Sequence, residues 1–277
     1  MNFLALFSTR RDRSGAPKVS RLIADRRLGI VFQPIVNLHD GAICGYEALV
    51  RAPNALRLGS TDALFDAARA QQHHKQLELA CIEVAIEQWA KKTNGCSLSL
   101  NISASSLLLL ENGAADGALL KLLDHCRLPS RVLTIEVNGL SSRIDPSELA
   151  GPLTKLRRQG VQITFDDFRC TESHIKLWSR LSPGMVKMDM KLTRGIANSP
   201  DQQKRVRALV ALSRRHGNRL AAKGIETAQD IVALNEAGVD CGQGHFLGSP
   251  DAEPAEHLNQ RAREALVSGW GVDVPSS

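Results

Sequence analysis

Eight short apolar or β-branched runs recur between Ile30 and Gly242, and from the second onward a stretch of helical spacing separates each from the next. Strands that alternate with helices pair in parallel, because each helix returns the chain to the same end of the sheet. Repeated this often, such units close into a (β/α) barrel. The first two runs, Ile30–Val36 and Ala42–Leu49, are joined by the turn His39-Asp40-Gly41, which predicts a hairpin. The expected fold is therefore an α/β modified TIM (β/α)8 barrel with one antiparallel strand. The remaining strands are expected at Ser97–Ile102, Val132–Val137, Gln162–Phe165, Met185–Met188, Arg219–Ala222 and Asp240–Gly242. Helices are expected over Asp62–Ala70, Leu77–Ala90, Leu119–His125, His174–Arg180, Gln202–His216 and Ala228–Glu236. A further helix starts at Asp145-Pro146, with the aspartate as N-cap, and stops before Gly160.

At 277 residues the chain is long enough for one large core, and no linker or internal repeat divides it. Residues 21–260 are assigned to the barrel, 1–20 to a basic N-terminal tail and 261–277 to a C-terminal tail. The net charge of +6 invites a nucleic-acid reading, but seven basic and two acidic residues within 1–27 leave about +1 for all the rest. With aromatic residues at 4%, a base-stacking surface is also disfavoured, so no nucleic-acid polymer is expected as a partner. No apolar run approaches the roughly 18 residues of a transmembrane segment. The opening Met1–Phe7 has the wrong order of apolar and basic residues for a signal peptide. Six scattered cysteines, without CxxC or CxxxC, argue against a zinc site or a disulfide scaffold and suit a reducing cytoplasm. Cys170 adjoins an acidic pair, but no histidine pattern supports it as a nucleophile.

Polar residues gather at the C-terminal ends of the expected strands: Glu47, Asn101, Glu136, Asp166, Asp167, Lys187, Lys223 and Gln243. Each alone has a structural explanation as a helix cap, turn residue or ion-pair partner. Their recurrence at the same position, strand after strand, points instead to the rim where barrels build active sites. Hard divalent cations take oxygen ligands, and two adjacent ions can hold the attacking and leaving oxygens of a phosphodiester. Glu47, Asn101, Glu136 and Asp166 supply oxygens for one ion, and Asp166 with Asp167 for a second. Lys187 would lie near the nucleophilic water or the phosphate, and Arg51 could grip a phosphate oxygen.

The segments FQPIVNLHDGAICGYEALVR, LSLNIS, LTIEV, ITFDDF, VKMD, AAKGIET and GQGHFLGSP follow one another over roughly residues 28–250. In content and order they resemble the EAL-domain family of cyclic di-GMP phosphodiesterases and their degenerate relatives. The resemblance implies a barrel that binds cyclic di-GMP and, when active, uses two Mg²⁺ or Mn²⁺ ions to hydrolyse it to pGpG. It carries the metal-ligand role to Glu47, Asn101, Glu136, Asp166 and Asp167. The catalytic role falls to Lys187, Glu226 and Gln243, and substrate contacts to Gln33, Glu47, Leu49, Arg51, Asn101 and Asp166.

Three departures bear on catalysis and a fourth on the guanine subsites. Where the family usually has Glu-Gly-Val-Glu, this chain has Lys223-Gly224-Ile225-Glu226, so a lysine replaces a second-metal glutamate often treated as general base. The loop usually written DDFGTGYSS reads Asp166-Asp167-Phe168-Arg169-Cys170-Thr171-Glu172-Ser173-His174, with Arg169 and Thr171 in place of glycines that could take φ > 0. Gly139 replaces a glutamate that helps to hold this loop, and Arg51-Ala52-Pro53-Asn54-Ala55-Leu56-Arg57 lacks the usual aromatic continuation. The expectation is a catalytically impaired EAL domain, cytoplasmic and homodimeric, acting as a nucleotide receptor or as a regulator of a protein partner. An active phosphodiesterase and an interaction module that binds neither metal nor nucleotide are the alternatives.

Overall fold

The computed structural model describes residues 19–52, 60–92, 95–110, 117–140 and 145–269. Most of the basic N-terminal segment, the Pro53–Arg57 continuation and the last eight residues lie outside the described residues.

Eight strands close a barrel in sequence order: β1 (Gly29–Asn37), β2 (Ile43–Arg51), β3 (Ser97–Ser103), β4 (Leu133–Asn138), β5 (Gln162–Phe168), β6 (Met185–Met188), β7 (Arg219–Ala222) and β8 (Cys241–Gly242). β1 runs antiparallel to both neighbours, β2 and β8, while the other pairs are parallel. The hairpin turn is local chemistry. Asn37 Oδ1 accepts from the His39 amide, Asp40 Oδ1 accepts from the Ala42 amide, and Gly41 takes a φ of +71°.

Alternation along each strand sorts residues into two layers. One set faces the helices: Phe32, Tyr46, Leu100, Ile135, Phe165, Val186 and Ala222 belong to the main core. Trp89 packs between Phe32 and Tyr46, at ring-centroid distances of 5.0 and 5.3 Å. The other set fills the barrel, where Ile35, Met185, Ala221 and Cys241 form a separate small apolar cluster. Two residues on from the last three stand Lys187 on β6, Lys223 just past β7 and Gln243 just past β8. The same parity that places apolar filler below places polar groups at the mouth.

Helices alternate with the strands: α1 (Val19–Ala24), α2 (Thr61–Ala70), α3 (His74–Trp89), α4 (Ala104–Leu110), α5 (Ala118–His125), α6 (Pro146–Arg158), α7 (Glu172–Leu181), α8 (Met190–Thr193), α9 (Pro200–His216), α10 (Ala228–Glu236) and α11 (Gln260–Gly269). α6 begins as its sequence dictates, with Asp145 Oδ1 accepting from the Ser147 amide and Pro146 at the first position. α7 starts two residues before the expected His174, because Thr171 caps it. α4 and α8 were not anticipated, since each is too short to display a helical period. α11 lies in a stretch expected as tail; its Ala262, Ala265 and Leu266 are buried. Among the described residues no helix is long and apolar enough to cross a membrane.

Candidate active site

Lys187 stands at the centre of the barrel mouth, 1% exposed. Its Nζ donates to Glu47 Oε2 at 2.7 Å, Glu136 Oε2 at 2.8 Å and Gln243 Oε1 at 3.1 Å. An ammonium has three protons, so its donor capacity is fully used. Asn101 Nδ2 donates to Glu47 Oε1 at 2.6 Å, and Gln243 Nε2 donates to Gln33 Oε1 at 3.3 Å. Gln33 in turn donates to the Gly248 carbonyl at 3.1 Å. Residues from β1, β2, β3, β4, β6 and the segment after β8 thus form one continuous buried network.

A second ammonium sits beside it. Lys223 follows β7, and its Nζ donates to both oxygens of Asp166 at 2.8 and 2.9 Å and to Asp167 Oδ1 at 2.9 Å. The backbone around Lys223 is fixed from two sides. Thr193 Oγ1 donates to the Lys223 carbonyl, and Gly224, at φ +70°, lets α8 pack closely. A Cβ on Gly224 would lie 2.9 Å from Met190 Cβ. Gly244 serves a similar purpose one loop away, where a Cβ would fall 2.1 Å from the Ile225 carbonyl oxygen.

Charge balance governs the ionisation of these groups. Burial alone would raise the Glu47 carboxyl, but Lys187 and the hydrogen bonds to it hold that group down at about 2. Glu136 is pushed up to about 8 by burial and by the neighbouring Glu47 charge, which the attraction of Lys187 only partly offsets. Burial lowers and Asp166 with Asp167 more than restores the basicity of Lys223, so it stays charged. Lys187 is likewise held protonated, its burial outweighed by Glu136 and Glu47. Two protein cations neutralise two of the four clustered carboxylates.

The loop after β5 is rebuilt around its substitutions. Positive φ falls on Asp167 (52°) and Cys170 (58°), not on Arg169 or Thr171, so the expected backbone conflict at the two replaced glycines does not arise. Thr171 instead caps α7 by accepting from the His174 amide at 3.3 Å. Arg169 Nε donates to Asp189 Oδ2 at 2.9 Å, and the Arg169 amide donates to His174 Nδ1 at 3.1 Å. With Nδ1 accepting, Nε2 carries the proton and donates to the Leu140 carbonyl at 3.0 Å. His174 therefore ties the β4 loop, next to Gly139, to the β5 loop.

The structure brings together Gln33, Glu47, Asn101, Glu136, Asp166, Asp167, Lys187, Lys223 and Gln243. Leu49 and Arg51 line an adjoining cavity of about 610 Å³, whose wall also includes Asn101, Asp166 and Asp167. Glu226 stands apart from the cluster, with its carboxylate paired to Arg194 and its side chain 46% exposed. Sequence reasoning missed His174, Asp189 and Thr193. The partners that give them these roles lie 20 to 34 positions away, so no local signal marks the contacts, although Asp189 stands inside the VKMD segment.

Whether this donor set suits divalent ions can be tested on its geometry. The oxygens of Glu47 and Glu136 contact Lys187, and those of Asp166 and Asp167 contact Lys223. Among the described residues no group of three or more His, Cys, Asp and Glu side chains is arranged to hold a metal. The position between Asp166 and Asp167 does not fit a second cation, because an ammonium already occupies it at hydrogen-bond distance.

A family model described as "EAL domain" matches residues 17–250. The bifunctional diguanylate cyclase/cyclic di-GMP phosphodiesterase MucR of Pseudomonas aeruginosa is 29% identical over 236 residues, covering 84% of this chain and 34% of that protein. The cyclic di-GMP phosphodiesterase TpdA of Vibrio parahaemolyticus is 27% identical over 237 residues, covering 85% and 39%. The chain thus spans well under half the length of these curated relatives. Among solved structures, Klebsiella pneumoniae BlrP1 in a calcium/cy-diGMP complex superposes with a TM-score of 0.75 at 25% identity, covering 88% of this chain and 60% of that one. The PaMucR phosphodiesterase in complex with c-di-GMP gives 0.73 at 26% identity, covering 86% and 96%.

Proposed function

This chain belongs to the EAL-domain family of cyclic di-GMP signalling, and we propose that it is a catalytically impaired member that acts as a receptor for cyclic di-GMP. One observation carries the proposal: Lys223 Nζ lies within 2.9 Å of both Asp166 and Asp167. The similar BlrP1 structures are calcium or manganese complexes with the nucleotide, whereas this pocket carries its own positive charge. An ammonium cannot activate water as a dication does, and it stands where the family resemblance implies a general base. Loss of a general base alone costs about 10²–10⁴-fold in rate.

The same features favour retention of a ligand. The pocket beside the cluster has room for a large polar molecule, and Arg51 at its edge is exposed and able to reach a phosphate oxygen. Lys187 is saturated by Glu47, Glu136 and Gln243, so it acts here as the structural centre of the floor. Calorimetry with cyclic di-GMP in EDTA and in Ca²⁺, beside a hydrolysis assay in Mg²⁺ and Mn²⁺, tests the reading. Binding without turnover is the expected result. Hydrolysis at a rate comparable to MucR would sink it, and silence in both assays would leave a protein-interaction module.

A further inference from the structure

A polar hollow enters the barrel from the end opposite the lysine network. Barrel interiors are usually filled by bulky branched side chains from alternate positions. Here the inward positions near the starts of β2 to β5 are Gly45, Ser97, Ser99, Thr134, Gln162 and Thr164, each small or polar. A cavity of about 40 Å³ lies among them, with Ile35 and Met185 on its apolar side. Gln162, Gly184 and Arg219 frame its mouth and are exposed. They belong to three adjacent strand starts, where the Arg219 amide donates to the Gly184 carbonyl at 3.0 Å. Arg219 shares the inward parity of Ala221 and Lys223. We propose that this hollow binds one small oxyanion of the phosphate class, held by Arg219 at the mouth and by hydroxyls below it.

Most polar groups in the wall are already spoken for. Ser97 Oγ donates to the Val132 carbonyl at 3.0 Å, so Thr134 Oγ1, 3.4 Å away, spends its proton on Ser97. Cys44 Sγ donates to the Ile35 carbonyl at 3.3 Å and lies 3.9 Å from Cys241 Sγ. Ser99 and Thr164 differ. They are 4% and 2% exposed and line the cavity, yet among the described residues neither side chain makes a hydrogen bond. A buried hydroxyl without a partner is costly, so both require a polar occupant.

Charge decides which occupant fits. Among the described residues no Asp or Glu lines the cavity, and Arg219 forms no ion pair. A guanidinium only donates, and the two hydroxyls and the Gln162 amide have further protons to give. A surplus of donors around one cation suits an oxyanion, whose oxygens only accept. Helix C-termini face this end of the barrel and by themselves would repel it. Arg158, Arg180, Arg214 and Arg215, in the last turns of α6, α7 and α9, offset that partial charge. A water needs roughly 10–15 Å³ of such space, so the hollow has about three water-sized positions. These accommodate most of one oxyanion, with an oxygen left at the mouth for Arg219.

The test titrates the full chain with inorganic phosphate, against sodium chloride at equal ionic strength, by calorimetry and thermal melting. One phosphate per chain is expected, with a rise in melting temperature that chloride does not reproduce. Arg219→Gln and Thr164→Val should each weaken the affinity at least about tenfold, the loss expected for one hydrogen bond to a charged group. Arg219 is exposed and valine matches threonine in shape, so both variants should still fold, as melting without phosphate will show. Ser99→Ala is the second probe of the hydroxyls if Thr164→Val melts early. Anomalous scattering from crystals grown in selenate should place the anion between Arg219 and Thr164. Absence of phosphate binding, equal affinity in wild type and variants, or selenate at Arg51 alone would overturn the proposal and leave the hollow to water.

Discussion

At the scale of single residues, two lysines decide what this pocket can do. Lys187 is fully buried against Glu47 and Glu136, so removing its charge strands the Glu47 carboxylate and takes a hydrogen-bond donor from Glu136. Lys187→Met is expected to lower stability by about 3–5 kcal/mol in urea unfolding, the usual loss for one partner of a buried pair. Lys223→Glu changes local charge by two units and frees Asp166 and Asp167. Mn²⁺ should then raise the melting temperature of the variant and leave wild type unmoved; equal shifts in both would show that Lys223 does not exclude the ion. His174 supplies a pH dependence. Burial, with the Arg169 charge, holds its imidazole below the usual 6.5. The folded protein therefore binds this proton less readily than the unfolded chain, and stability from the neutral ring is complete above about pH 6.5 and lost as pH falls below it. The protection factor of the Arg169 amide against hydrogen exchange, corrected for the intrinsic pH dependence, should fall as pH drops over that range, and His174→Phe should flatten the response.

The β5 loop and α7 show, at the scale of elements, how a loop can change composition without collapsing. Thr171 occupies a position where glycine was expected and becomes the α7 N-cap, so a lost conformational freedom is offset by a new hydrogen bond. Thr171→Ala should cost about 1 kcal/mol, read as a shift in the urea midpoint. Restoring glycine at 169 and 171 together would test whether the loop's present form is needed for nucleotide binding. Strand positions and most helix starts were legible because capping and period-two alternation are local: Asp145-Pro146 announced α6, and Met185–Met188 and Arg219–Ala222 match the expected ranges residue for residue. The short α4 and α8 were not, because helices of seven and four residues are held by packing rather than by their own periodicity. The bulge at Cys44, between the Ile35–Gly45 and Val36–Ile43 pairs, was equally invisible, since it exists only as a mismatch between two strands.

For the whole molecule, the closed barrel sets both the stability and the chemistry. α11 extends the packed unit past residue 260, burying Ala262 and Leu266. Deleting residues 260–277 should therefore lower stability by at least about 2 kcal/mol, since a fully buried leucine alone is worth about 1.5–3; an unchanged melting curve would return this segment to the status of a tail. The sequence by itself determined the barrel, its antiparallel first strand and the ring of polar residues at the mouth, because repeating strand and helix periods are local properties. It also marked Lys223 as foreign to its motif. Only the tertiary structure decided that Lys223 reaches both Asp166 and Asp167, that Glu226 turns away to Arg194, and that Cys44 meets a partner 197 positions distant. Those pairings depend on closure and shear of the barrel, which bring strands distant in sequence to within a hydrogen bond of one another.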